Sequence, residues 1–186
     1  MASGLSTRFG TNKLLAEFKG KSLISLIVDK TSDLSGKIEK RIVLTRTPEV
    51  YEYCNALGIE SYLHSLPNRN EAVHLGMEHM MDLDACIFCT CDQPLLKKES
   101  INKLIAAYLT GGPGIYRLSY GEKAGNPILF SKEYFEELSN LPEKKGGSYI
   151  ASKYPDDVTL IPADDEWELY DVDTPDDIKM LSEIKR

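Results

Sequence analysis

Apolar residues along this chain recur in two rhythms that keep replacing one another, a helical spacing and short continuous runs. Leu23, Ile24, Ile27 and Val28 share one helical face within residues 22–34. The run Ile42-Val-Leu-Thr45, inside residues 38–46, predicts a strand. Pro48 opens a short helix through Leu57, with proline in its first turn and Gly58 at its stop. Residues 62–63 predict a short strand, 67–70 a polar loop, and 71–81 a helix with Val73, Met77 and Met80 on one face. Residues 84–90 are the most apolar run and predict the most buried strand, which feeds Cys91-Asp92-Gln93-Pro94. An amphipathic helix follows over 97–109, with Ile101, Leu104, Ile105 and Tyr108 on one face. Gly111-Gly-Pro-Gly114 turns the chain into a strand at 115–120. Residues 121–125 predict a loop and 127–130 a short strand, after which Ser131 is placed to cap a helix through Leu138. Lys144-Lys-Gly-Gly147 breaks the pattern ahead of a helix to Ser152 and a strand at 158–161. A strand-like run at 167–170 leads into Asp171-Val-Asp-Thr-Pro-Asp-Asp177, where Thr174 and Pro175 start a last helix with acidic residues in its first turn. The alternation predicts an α/β fold, a mainly parallel sheet with helices on both faces, as a single domain over residues 1–186.

Length and charge narrow the function. A chain of 186 residues can bury a sizeable core as one domain. No apolar run reaches membrane-spanning length, and no basic-then-apolar signal stands at the N-terminus. The formal charge of −7 argues against a nucleic-acid surface. An acidic protein that binds a polyanion needs locally concentrated positive charge or a divalent metal. Cys86, Cys89 and Cys91 suggest a metal cluster, but with Cys54 alone elsewhere no second ligand pair exists. They read as small hydrophobes of a buried strand in a reduced, cytoplasmic compartment. His64, His74 and His79 show no ligand spacing.

The positive charge stands at the start, where Gly4, Ser6, Arg8, Gly10 and Lys13 form G-x-S-x-R-F-G-x-x-K. The glycines allow close backbone approach and a sharp turn. Exposed N–H groups with a guanidinium and an ammonium suit a phosphate chain. The spacing is neither G-x-x-x-x-G-K-S/T nor G-x-G-x-x-G. Such a turn normally follows a strand, and residues 1–3 leave no room for one. A buried strand of about six apolar residues is worth on the order of 9–18 kcal/mol, as much as the net stability of a domain. The expectation is therefore a missing first strand and a native start upstream of Met1.

Negative charge stands at two other places. Asp92 follows the most apolar strand, and Pro94 fixes its loop. A carboxylate there can hold Mg²⁺, which binds through one or two carboxylates plus substrate phosphates, or can simply make an Asx-turn. Asp171 and Asp173 point to one side of an extended segment. Both can face one metal, or one can do so while the other hydrogen-bonds a loop or caps the helix. Asp176 and Asp177 read as first-turn residues. Together these pieces suggest a triphosphate held by backbone, Arg8 and Lys13, with Mg²⁺ on Asp92 and Asp173. A second anion would attack the α-phosphate, with pyrophosphate leaving. No Ser-His-Asp or Cys-His set is present, and an ionised phosphate nucleophile requires no general base.

Three motifs carry a family resemblance: Gly4-Leu-Ser-Thr-Arg-Phe-Gly-Thr-Asn-Lys13, Cys91-Asp-Gln-Pro94 and Asp171-Val-Asp-Thr-Pro-Asp-Asp177. In order and separation they resemble the MobA-like NTP transferases, and Gly125-Asn-Pro127 resembles that family's Gly-His-Pro. The second and third look most like the molybdopterin cytidylyltransferases. The resemblance implies a three-layer Rossmann-like fold of the nucleotide-diphospho-sugar transferase kind, with its first strand missing here. It implies nucleotide binding at Ser3, Gly4, Ser6, Arg8, Lys13 and Asp92, with Arg8, Lys13 and Asp92 catalytic. It further implies Mg²⁺ at Asp92 and Asp173, acceptor binding at Asn126, CTP and a molybdopterin cofactor as substrates, and a molybdenum hydroxylase as recipient. Departures fall where the acceptor would lie. Asn68-Arg-Asn-Glu-Ala72 replaces a Ser-rich segment, Glu143-Lys-Lys-Gly-Gly-Ser148 lacks the family's Asp and Arg, and Asn126 replaces His. A sugar or polyol phosphate acceptor, or a non-enzymatic nucleotide-binding or cofactor-delivery module, are the alternatives.

Overall fold

The computed structural model describes residues 2, 9–10, 12–32, 34 and 38–184. In chain order the strands and α-helices are β1 (Glu17–Phe18), β2 (Lys21–Ser22), α1 (Leu23–Ser32), β3 (Ile42–Thr45), α2 (Pro48–Ala56), β4 (Glu60–Leu63), α3 (Arg69–Met77) and β5 (Ala85–Phe88). Then come α4 (Lys98–Gly111), β6 (Ile115–Tyr120), β7 (Lys123–Ser131), α5 (Phe135–Ser139), α6 (Gly147–Lys153), β8 (Val158–Pro162) and α7 (Pro175–Ser182). They group into two compact units, one of residues 1–63, 90–98 and 164–186, the other of 64–89 and 99–163. No helix among the described residues is long and apolar enough to cross a membrane.

In the first unit, Lys19 and Gly20 both take positive φ, 49° and 82°. That is the paired left-handed turn whose twist suits a tight hairpin, and it folds β1 back on β2. α1 buries Leu23, Ile24, Ile27 and Val28, the face its spacing predicts. β3 and β4 pair in parallel with α2 between them in sequence. Ala2 adds one parallel bridge to Thr45, its N–H donating to the Leu44 carbonyl at 2.9 Å. Ala2 therefore lies beside the carboxyl end of β3.

The second unit is built on a four-stranded sheet in the order β5-β7-β6-β8. β7 is antiparallel to both neighbours, and β8 is parallel to β6. Phe130 on β7 meets Phe88 edge to face at 5.7 Å. Gly147 at the start of α6 comes so close to it that an added Cβ would lie 3.1 Å from the Phe130 ring. At Gly147 the break in pattern thus reflects tight packing against Phe130.

Several elements differ from the expectations. The predicted loop at 121–125 and short strand at 127–130 are one hairpin: Lys123 and Ala124 already pair with Tyr120 and Ser119. Backbone ladders need no apolar side chains, so the polar composition hid the strand. Helix α3 begins at Arg69 inside the expected loop, because Asn68 and Glu71 form a reciprocal capping box. Ser131 does not cap the next helix; its hydroxyl instead donates to Glu133 and accepts from the Gly114 N–H. Residues 166–169 form a 3-10 helix, not a strand, because the Asp165 carboxylate accepts the Trp167 N–H and caps a turn. β5 is half-buried throughout and less buried than β6 or β7. Among the described residues it has a single ladder neighbour, β7.

Glu168 is fully buried (0% exposed) in the first unit. Its carboxylate accepts the Lys97 and Asp164 N–H groups, both at 2.9 Å. Substituting Glu168→Leu strands two backbone donors and is expected to cost about 2–4 kcal/mol. Urea unfolding measures this, and a loss below about 1 kcal/mol would show that the latch is dispensable.

Candidate active site

The first unit's core explains why its three chain segments meet. Phe18 of β1, Leu23 of α1, Leu95 just past Pro94, Val172 and Leu181 of α7 form one buried cluster, flanked by Trp167, Tyr170 and Ile178. Alternation in the extended segment 171–173 turns Val172 into that cluster and sets both aspartates on the other side. The Val172 N–H donates to the Asp92 carbonyl at 2.8 Å. The two acidic segments are therefore stitched together by backbone.

Lys13 stands between them. It begins a short 3-10 helix that Asn12 caps by accepting the Leu14 N–H. Its ammonium donates to Asp92 Oδ2 at 2.8 Å, to the Val172 carbonyl at 2.8 Å and to Asp173 Oδ1 at 3.4 Å. The residue is only 8% exposed. Burial pulls its pKa down, but the hydrogen bond and charge of Asp92, then those of Asp173, outweigh it and leave the pKa above the ordinary lysine value. Lys13 is a buried, permanently charged cation at neutral pH.

Asp173 is aimed by its neighbours. Asp177 Oδ2 accepts the Asp173 and Thr174 N–H groups at 2.9 and 2.7 Å and the Thr174 hydroxyl at 2.9 Å. Desolvation opposes charge on Asp177, but these bonds hold its carboxyl below the usual carboxylate range. Thr174 is the N-cap and Asp177 its reciprocal partner, so the capping role falls to them and not to Asp173.

Asp171 presents surface to solvent, yet protein crowding its carboxyl and then the charge of Asp92 push its pKa up to about 6, against a hydrogen bond from the Gln93 side chain. Because this folded pKa exceeds the unfolded value, stability falls as pH rises from about 4 to 6. Asp171→Asn should therefore gain about 1 kcal/mol at pH 7, solvent screening reducing the full linkage value. The gain should vanish below about pH 4, which paired denaturant melts at the two pH values would show.

Oxygen donors left without partners mark where a cation fits. Among the described residues, Asp92 Oδ1, Gln93 Oε1 and Thr90 Oγ1 are buried with no hydrogen-bond partner. No group of three or more His, Cys, Asp or Glu among them is arranged to hold a metal alone. A hard divalent cation completed by substrate phosphates needs only one or two protein carboxylates, and Asp92 with Asp173 supplies two. The donor set fits Mg²⁺ or Mn²⁺.

Lys13, Asp92 and Asp173 are brought together; Asn126 lies on β7 in the second unit. Ser3, Gly4, Ser6 and Arg8 lie outside the described residues. None of the four cysteines forms a disulfide, and burial pushes the thiols of Cys54, Cys86 and Cys91 up, away from thiolate chemistry. Sequence reasoning missed the Val172 carbonyl, since an acceptor supplied by backbone leaves no side-chain signature.

Over residues 1–158 the chain matches the family described as the MobA-like NTP transferase domain. It is 28% identical over 200 residues to the purine catabolism protein PucB of Bacillus subtilis, spanning 97% of this chain and 93% of that protein. It is 24% identical over 109 residues to a protein of Natranaerobius thermophilus named "Probable molybdenum cofactor guanylyltransferase", spanning 57% of this chain and 51% of that one. Among solved structures, Rv0371c of Mycobacterium tuberculosis superposes with a TM-score of 0.86 at 21% identity, covering 99% of this chain and 96% of that chain. The same protein in complex with manganese gives 0.76 at 17% identity, covering 98% and 95%. These likenesses place the fold with the Rossmann-like α/β nucleotidyltransferases.

Proposed function

The chain belongs to the MobA-like NTP transferase family and is an enzyme of nucleotidyl transfer; from that premise we propose that it moves CMP from CTP onto a phosphate of a molybdopterin-type cofactor, releasing pyrophosphate. The observation that carries this reading is the Lys13 ammonium, gripped at once by Asp92, Asp173 and the Val172 carbonyl. A buried cation beside two carboxylates is what a triphosphate site requires: positive charge for the phosphates, negative charge for their metal.

In this reading residues 1–186 work as one nucleotidyltransferase domain. Arg8, Lys13 and the backbone around Ser3, Gly4 and Ser6 hold the phosphates in line. Lys13 neutralises charge that grows on the α-phosphate and the departing pyrophosphate. Asp92 and Asp173 would hold Mg²⁺, which when bound neutralises phosphate oxygens and fixes their geometry. Asn126 hydrogen-bonds the acceptor, whose phosphate oxygen forms the new bond to the α-phosphorus as the bond to pyrophosphate breaks. The product would pass to a molybdenum hydroxylase in the cytoplasm.

Thermal stabilisation by CTP, GTP and ATP, each with and without Mg²⁺, tests the reading. Selective, Mg²⁺-dependent stabilisation by CTP is the expected result. A preference for GTP would redirect it to GMP transfer, the activity that the name of the Natranaerobius relative carries. No response to any nucleotide would overturn it.

A further inference from the structure

One charged side chain of the second unit has no part in the mechanism and no counter-charge among the described residues. Arg117 lies in the middle of β6, half-buried, between Leu118 and Tyr116, which are both buried. It forms no ion pair among the described residues. Its Nε–H donates to the Gly125 carbonyl at 3.0 Å, the one hydrogen bond the described residues give it. Burial alone pulls its pKa below the ordinary arginine value, with no carboxylate to offset it. Holding a guanidinium this way costs desolvation without Coulombic return, so its two terminal nitrogens are the feature that needs a use.

Their surroundings say what use. Arg117 pairs directly with Ile128 of β7, so the two side chains share one face of the sheet. Between that pair and the pairing of Ser119 with Ala124 the ladder shifts register, and Asn126 lies in this irregular stretch, next to the Gly125 whose carbonyl Arg117 bonds. Asn126 is half-buried and its amide makes no hydrogen bond among the described residues. On the other flank Arg117 pairs with Leu160 of β8, which is 47% exposed. The face is thus accessible at the level of Arg117. The bond to Gly125 fixes the guanidinium plane beside the Gly125-Asn126-Pro127 segment. A planar fork of donors next to an amide-bearing residue, with no carboxylate paired to it among the described residues, suits an oxyanion.

We propose that Arg117 and Asn126 form an anion subsite on the second unit that holds a phosphomonoester group of the acceptor. This deepens the nucleotidyl-transfer reading and rests on it for the word acceptor, but the anion binding stands on its own geometry. Arg117 supplies charge and orientation, and Asn126 supplies a further donor.

The test is calorimetric titration of inorganic phosphate and of glycerol 3-phosphate into wild type, Arg117→Gln, Arg117→Lys and Lys13→Met, each also titrated with CTP and Mg²⁺. The expected result is binding of both anions by wild type and by Lys13→Met, at least tenfold weaker in Arg117→Gln and partly restored in Arg117→Lys. The CTP response of Arg117→Gln should match wild type. Binding of glycerol 3-phosphate but not of inorganic phosphate would still support the subsite and show that it reads the ester. Equal binding by Arg117→Gln and wild type, loss only in Lys13→Met, or no binding by wild type would overturn it. If Arg117→Gln does not fold, a loss of the two-donor fork in Arg117→Lys, read as weaker binding with an intact CTP response, carries the decision. Anion binding with no CTP response in any protein would keep the subsite and sink the transfer reading instead.

Discussion

Lys13→Met is expected to lower turnover at least a hundredfold while leaving a folded protein. The ammonium donates to Asp92, to the Val172 carbonyl and to Asp173 at 2.8, 2.8 and 3.4 Å, and methionine keeps its length without its charge. Loss of one preorganised donor from charge that develops in a transition state typically costs 10²–10³ in rate. The structural cost is smaller. Breaking a buried pair strands its partner for about 3–5 kcal/mol, but the Asp173 side chain is 54% exposed, so water can re-enter and about 1–3 kcal/mol is expected. Pyrophosphate release and urea unfolding measure the two effects separately. The same substitution vacates a place ringed by two carboxylate oxygens and a carbonyl, the donors a divalent cation prefers. Mn²⁺ titration without nucleotide should therefore show tighter binding in Lys13→Met than in wild type. Wild-type turnover in the variant would remove Lys13 from the chemistry.

Asp92→Asn is the second large effect, and it separates metal binding from phosphate binding. Asparagine preserves shape and keeps an oxygen, but it halves the formal negative charge that Asp92 and Asp173 direct at this point. It also takes from the buried Lys13 its 2.8 Å carboxylate contact and keeps the weaker one at 3.4 Å. Nucleotide should still bind, weakly and without response to Mg²⁺, and turnover should fall on the order of 10³-fold or more. Thermal shifts with nucleotide, with and without Mg²⁺, give the first readout, and pyrophosphate release gives the second. If Mg²⁺ still enhances nucleotide binding in the variant, the metal sits elsewhere, and Asp171 with Asp173 becomes the pair to substitute next.

The sequence made α1, β6 and α7 legible because each has a physical signature confined to neighbouring residues. α1 has an apolar face at helical spacing, β6 an unbroken strand-like run, and α7 a Thr-Pro start with an acid three residues past its cap. Where the deciding interaction came from a polar side chain or from backbone, composition misled. The Asp165 cap made residues 166–169 a tight turn in spite of Trp167 and Leu169. The ladder to β6 made residues 123–124 part of a strand in spite of their polar surroundings. β5 shows a third limit: an apolar run reports what the sequence can bury, and its neighbours decide how much is buried. The candidate site was legible as residue types, with Lys13, Asp92 and Asp173, which the structure brings together, all named by motif. What could not be read was the Val172 carbonyl between them or the solitary guanidinium of Arg117. Both are defined by what lies beside them in space.

The contacts of Lys13 span 79, 159 and 160 residues of sequence. During synthesis the lysine emerges early, and its second carboxylate emerges about eight to thirty seconds later at ordinary elongation rates. Until residues 171–173 arrive, the ammonium lacks the Val172 carbonyl and Asp173, and the cluster around Phe18 lacks Val172 and Leu181. Closing such long loops is slow, since their entropy is lost before the contacts return anything. The early part of the first unit must therefore wait, exposed to chaperones and proteases, while the second unit's intervening 99–163 segment is made. Lys13 is among the first residues born and among the last to be fully secured.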